Sequence, residues 1–141
     1  MATRSRIGIK NKNGTITSIY CHWDGYPEHN GKILAEHYTN PEKVKALMEL
    51  GDLSSLNEEI GEKQDFNQRD TQNEKWCLAY GRDRGESNIQ SKLHGNEDAF
   101  LDATNGCCGE YAYLFEEGEW KVAILYGEKF AEWKTLDSYV H

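Results

Sequence analysis

Two hairpin signatures, one towards each end of the chain, constrain the fold more than any other feature. In the first, Arg6-Ile-Gly-Ile-Lys10 alternates apolar with polar or small residues, as a half-buried strand does. Asn13-Gly14 follows and predicts a two-residue turn, because both residues tolerate positive φ. Thr15 to Cys21 is rich in β-branched residues and returns as the partner strand. Ile16 and Ile19 break the alternation once, which a bulge or a strand covered on both faces would explain. In the second, Tyr111 to Phe115 and Trp120 to Tyr126 flank Glu116-Glu-Gly-Glu119. Tyr111, Tyr113 and Phe115 share one face, and Trp120, Val122, Ile124 and Tyr126 share one face of the partner. The two hairpins are expected at about 6–22 and 110–126.

The chain between them reads mostly as helix and loop. Residues 22–31 carry loop punctuation, Asp24-Gly25 and Pro27. Ile33, Leu34, His37 and Tyr38 form a helical stripe within about 31–38. Asn40-Pro41-Glu42 starts a second helix, about 41–50: a capping Asn, Pro in the first turn and an acid near the positive helix end. Val44, Leu47 and Met48 are its buried stripe, and Gly51 suits its C-terminal cap. Leu53 and Leu56 suggest a short helical turn. Residues 57–75 carry six acids and three bases, with only Ile60 and Phe66 large and apolar, and so predict a polar surface loop or lid. Residues 76–80 predict a central strand, and Gly81-Arg-Asp-Arg-Gly-Glu86 a tight polar turn. Ser87 would cap a short helix with Ile89 and Leu93, and Glu97 to Ala103 would make another around Phe100 and Leu101. Asn105 to Gly109 reads as a flexible loop. Phe130, Trp133, Leu136 and Tyr139 suggest a closing helix or turn, or a strand near 134–140. The result is a single α+β domain, 1–141, with a mostly antiparallel sheet and helices packed on one face.

Composition narrows the function classes. Acids outnumber Lys plus Arg by 24 to 16, a net charge of −8, which argues against direct duplex DNA binding. No apolar run approaches the roughly 20 residues of a membrane span, and the opening residues lack the apolar core of a signal peptide. A cytoplasmic location, without membrane contact, is expected. Cys21, Cys77, Cys107 and Cys108 are then expected as free thiols. A zinc set of Cys21, His22, Cys107 and Cys108 has no C-x-x-C spacing behind it, so neither metal nor cofactor is expected.

Two clusters carry the candidate chemistry. Cys21-His-Trp-Asp-Gly-Tyr-Pro27 stands where a strand emerges into a loop and offers His22, Trp23, Asp24 and Tyr26. Tyr80-Gly-Arg-Asp-Arg-Gly-Glu86 offers Arg82, Asp83 and Arg84 between glycines. A guanidinium fork fits phosphate or carboxylate at two points, and Trp23 or Tyr26 can stack on a base. Together these seven residues suit an anionic, nucleotide-like ligand. For each, a plainer role stands beside this one: arginines pairing with local acids, and aromatics capping the core. Catalysis has less support, since no P-loop, G-x-G-x-x-G, H-E-x-x-H or G-x-S-x-G is present. Asp24 and Asp83 as paired carboxylates would need a meeting that spacing does not demand.

Ser5-Arg-Ile-Gly-Ile9, Ile19-Tyr-Cys-His-Trp-Asp-Gly-Tyr-Pro27, Leu50-Gly-Asp-Leu-Ser-Ser-Leu56 and Ala79-Tyr-Gly-Arg-Asp-Arg-Gly-Glu86 resemble the signature stretches of a family of small bacteriophage and prophage proteins. The resemblance covers most of the chain and is weakest over 57–75. It implies a viral accessory protein of a class of gene that often counters host defence, and it supplies no catalytic residues. The expected function is therefore a binding protein that sequesters an anionic nucleotide-like molecule or masks a host defence protein. A small enzyme acting on a nucleotide or nucleic acid phosphate, and a virion or assembly component without a pocket, are the alternatives. A homo-oligomer is compatible with so many aromatics in so small a chain.

Overall fold

A computed structural model describes residues 3–64, 75–107, 109–125 and 133–136. The expectations for 65–74, Cys108, Tyr126, Phe130 and Tyr139 lie outside the described residues. Among the described residues, eight strands form one mixed sheet. β1 (Ser5–Lys10) and β2 (Ile16–Cys21) make the first hairpin. A single π-helical turn, Pro27–Gly31, leads into α1 (Lys32–His37) and then α2 (Pro41–Leu50). β3 (Leu53–Ser55), β4 (Leu78–Ala79), α3 (Tyr80–Arg84), β5 (Lys92–His94) and α4 (Glu97–Gly106) follow. β6 (Tyr111–Glu116) and β7 (Glu119–Ile124) make the second hairpin, and β8 (Lys134–Thr135) adds to β7. No described helix is long and apolar enough to cross a membrane.

The sheet runs β4-β3-β2-β1-β6-β7-β8, and β5 pairs with the start of β2 on the side where β3 meets its end. Most pairings are antiparallel, but β1 and β6 are parallel neighbours from Ser5↔Tyr111 to Ile9↔Phe115. The α+β class and its mainly antiparallel sheet are as the sequence indicates.

Both faces of the sheet are covered, which resolves the slip between Ile16 and Ile19. The β1–β2 register is unbroken, and the two isoleucines point into different cores. Ile19 joins Ile7, Ile9, Tyr113, Phe115, Trp120 and Val122 beneath α1 and α2, which supply Leu34, Val44, Leu47 and Met48. Ile16 joins Ala112, Leu114 and Ala123 beneath Phe100 and Leu101 of α4 on the opposite face. Gly8 permits that second layer: a Cβ there would meet Phe100 Cζ at 3.1 Å and Ile16 Cγ2 at 3.0 Å. α1 and α2 do share one face, while α4, longer than the sequence suggests, closes the other.

Local signals hold where local bonds dominate. Asn40 Oδ1 accepts the Glu42 N–H at 2.9 Å, and Asn96 Oδ1 caps α4 through the Ala99 N–H at 2.8 Å. The β6–β7 turn places Glu117 and Gly118 at positive φ, 51° and 81°, as a two-residue hairpin turn requires. The first hairpin differs from expectation. Its loop has three residues, closed by the Asn11 N–H donating to Thr15 O at 2.7 Å, and only Gly14 takes positive φ (88°).

Elsewhere tertiary pairing overrides local preference. Leu53–Ser55 is strand rather than helical turn, because it lies between β2 and β4. Lys92–His94 is strand because it borders Ile16–Ser18. The strand expected at 76–80 shortens to Leu78–Ala79 and sits at the sheet edge, not centrally.

Candidate functional site

The β2 exit is held open by its backbone. Beyond Cys21 the chain stays beside β3, with the His22 N–H donating to Leu53 O and the Trp23 N–H to Ser54 O, both at 3.0 Å. Asp24 then takes a left-handed conformation (φ 56°), and Gly25 is pinned by its N–H to Thr3 O and by the Tyr113 hydroxyl on its carbonyl. Fully buried Asn30 supports the bend from inside, donating to Cys21 Sγ and Trp23 O. Trp23 and Tyr26 are thereby left 43% and 36% exposed. The His22 ring stands edge-on to Trp23, with centroids 4.7 Å apart, and its Nδ1 lies 2.7 Å from the Tyr20 hydroxyl. Burial, with Arg4 nearby, pulls the His22 pKa down, so its ring is neutral at pH 7. The Tyr26 hydroxyl donates to Asp24 Oδ1 at 3.3 Å, and the Asp24 charge raises the Tyr26 pKa.

The Gly-Arg-Asp-Arg-Gly segment is a helix, α3, ending on left-handed Gly85 (φ 75°). Residues two apart on a helix face different ways, so its two arginines separate. Arg82 turns inward. Its Nη1 donates to Ile60 O at 2.7 Å, its Nη2 to Cys77 O at 2.8 Å and its Nε to Asp83 Oδ1 at 2.9 Å. Asp83 also accepts the Ala79 and Gln64 N–H groups, at 2.8 and 3.0 Å, and its side chain is wholly buried. This pair fastens residues 60–64 to β4. Arg84 turns outward, pairs with Glu86 at 2.6 Å and lies over the Tyr80 ring at 4.8 Å.

The link between the two clusters is Tyr20, which sequence reasoning missed. Its phenol lies beside His22 Nδ1 and within the electrostatic reach of Arg4, Tyr80 and Cys107, while burial raises its pKa. Tyr20, His22 and Trp23 thus adjoin one another at the end of β2, the charge of Arg4 acts on both Tyr20 and His22, and Tyr80, with Arg84 over its ring, acts on Tyr20. Trp23 and His22 come together in this way; Arg84 stands over Tyr80, and Arg82 and Asp83 are engaged inside the protein. Polar residues at every second position, Arg4 and Arg6 on either side of the start of β1 and Ser18, Tyr20 and His22 along β2 and just past its end, were the available signal.

Behind Tyr20 lies a second polar layer. Arg6, only 3% exposed, donates from Nε to Ser18 Oγ at 2.9 Å and from Nη2 to Ser18 O at 3.2 Å. Ser18 Oγ lies 2.6 Å from His94 Nε2, and burial pushes the His94 pKa down to about 4. Burial raises the pKa of the Cys107 thiol, at the C-terminus of α4, and the Arg6 charge opposes that rise. Among the described residues neither Arg4 nor Arg6 has a carboxylate within ion-pair distance. Asp52, in the field of Arg6, accepts the Tyr20 N–H at 2.9 Å instead.

The zinc set does not assemble from its described members. Cys21 faces the core beneath α1 and α2, where burial pushes its pKa up to about 12, whereas Cys107 lies on the α4 side. Among the described residues no three His, Cys, Asp or Glu side chains are grouped to hold a metal. No protein-family model matches the chain, and neither a curated protein nor a solved structure matches it.

Proposed function

We propose that this chain is a non-enzymatic binding protein that captures an anionic, nucleotide-like ligand on the face at the end of β2. The observation that carries the reading is the exposed indole of Trp23 set against His22, which is in turn hydrogen-bonded to Tyr20, with the charge of Arg4 acting on both His22 and Tyr20, in a protein of net charge −8. The half-exposed indole of Trp23 offers a stacking surface, worth about 1–3 kcal/mol per base. Arg4 and Arg84 supply charge-assisted donors for phosphate. His22 is neutral and adds a hydrogen bond without charge. A binding role fits better than turnover, because the close serine–imidazole pair, Ser18 and His94, is buried, and the hydroxyl that meets His22 is the phenol of Tyr20. With the resemblance to phage and prophage proteins, sequestration of a nucleotide signal used in host defence is the role we infer.

Isothermal titration with mononucleotides and cyclic dinucleotides tests this. Trp23→Ala and the double variant Arg4→Ala, Arg84→Ala should each weaken binding by about tenfold or more. Absence of binding by every nucleotide, or unchanged affinity in both variants, overturns it.

A further inference from the structure

The parallel pairing of β1 with β6 creates a second feature, remote from the β2 exit. β1 turns back into β2 on one side, and β6 turns back into β7 on the other. The two hairpin turns therefore leave the sheet in opposite directions from the carboxyl ends of adjacent parallel strands. A crevice opens at such a divergence, and in open sheets with parallel strands it is where ligands bind. Here the cleft has a volume of about 310 Å³. Ile9, Phe115 and Pro41 give it an apolar floor, and Lys12 and Lys45 stand beside it.

The charges around the cleft are unevenly balanced. Lys10 is bridged to Glu97 and Glu116, both at 3.0 Å, and Glu116 is shared with Lys121 at 2.9 Å. Those four groups neutralise one another. Lys12 and Lys45, both exposed, have no carboxylate within ion-pair distance among the described residues. Among the described residues lining this cleft, Glu117 is the one acid. We infer that the cleft between the two hairpin turns binds a small phosphate monoester carried on a planar apolar body. The body lies over Ile9, Pro41 and Phe115, and the phosphate is held between Lys12 and Lys45. This site is separate from the proposed nucleotide face and does not depend on it.

The probe is phenyl phosphate, followed through backbone amide shifts of the full chain. Expected are shifts at Lys12, Gly14, Lys45 and Gly118. Affinity should fall about tenfold in the double variant Lys12→Ala, Lys45→Ala, as loss of charge-assisted contacts implies. Glu117→Gln should bind more tightly, and Trp23→Ala unchanged. Phenol and inorganic phosphate should each bind more weakly than phenyl phosphate. No shifts at the cleft, shifts confined to residues 20–26, or equal affinity in the double lysine variant overturns the proposal. Equal binding by inorganic phosphate overturns the assigned ligand class. Both lysines are exposed, so the variants fold.

Discussion

Arg6 and Arg82 are both drawn in beside strands, yet their charges are answered differently. Arg82 meets a carboxylate, Asp83, and two carbonyls, and the pair ties a polar segment to the sheet edge. Arg6 meets a hydroxyl and a carbonyl, both of Ser18, with no carboxylate in ion-pair range among the described residues. Breaking a buried ion pair leaves an uncompensated charge, whereas removing a cation answered by dipoles leaves only unpaired dipoles. The first arrangement is a brace. The second puts positive potential on His94 and on the Cys107 thiol.

The sharpest way to break this comparison is Arg82→Ala. It strands the Asp83 carboxylate and should cost about 3–5 kcal/mol in urea unfolding, with part recovered by Asp83→Asn in the same chain. A cost below about 1 kcal/mol would show that the pair is no brace. Next in size is the acid response of His94. Its folded pKa is about 4 and its ordinary value 6.5, so the unfolded chain takes up the proton first. Stability is full above pH 6.5 and falls as pH drops towards 4, by up to about 3 kcal/mol. Titration of His94 by NMR near 6.5 would contradict this.

Arg6→Met should cost less than Arg82→Ala, about 1–2 kcal/mol, chiefly through the lost partner of Ser18. It should also raise the His94 pKa, because Arg6 adds to the burial that lowers it. The smallest expected effect is that of Arg84→Ala, within about 0.5 kcal/mol of wild-type stability, since its pair with Glu86 is exposed. A stability loss as large as that of Arg82→Ala would make the two arginines equivalent and remove the contrast within α3.

How much was legible depended on range. The Asn40 cap, the Gly118 turn and the shared faces of Tyr113 and Phe115 could be read directly, because each rests on bonds or periodicity within a few residues. Trp23 could be read either as a ligand-facing aromatic or as a cap on the core, and only the bend at Asp24 and Gly25 leaves it exposed. The roles of Arg82 and Arg84 were not. They look alike between glycines, and only a helix anchored by Asp83 to Ala79 and Gln64 turns one inward and the other outward. Tyr20, Arg4 and Arg6 looked like ordinary strand residues until the register Arg6↔Tyr20 brought them together.

By itself, then, the sequence determined two hairpins, the start of α2 and an acidic α+β chain, since turn dihedrals, caps and side-chain periodicity act locally. The tertiary structure alone decided that β1 lies parallel to β6, that Ile16 and Ile19 serve opposite cores, and that β3 and β5 share one flank of β2. Those choices follow from which apolar faces bury each other across long sequence separations. They also place both candidate sites, one at the end of β2 and one between the hairpin turns.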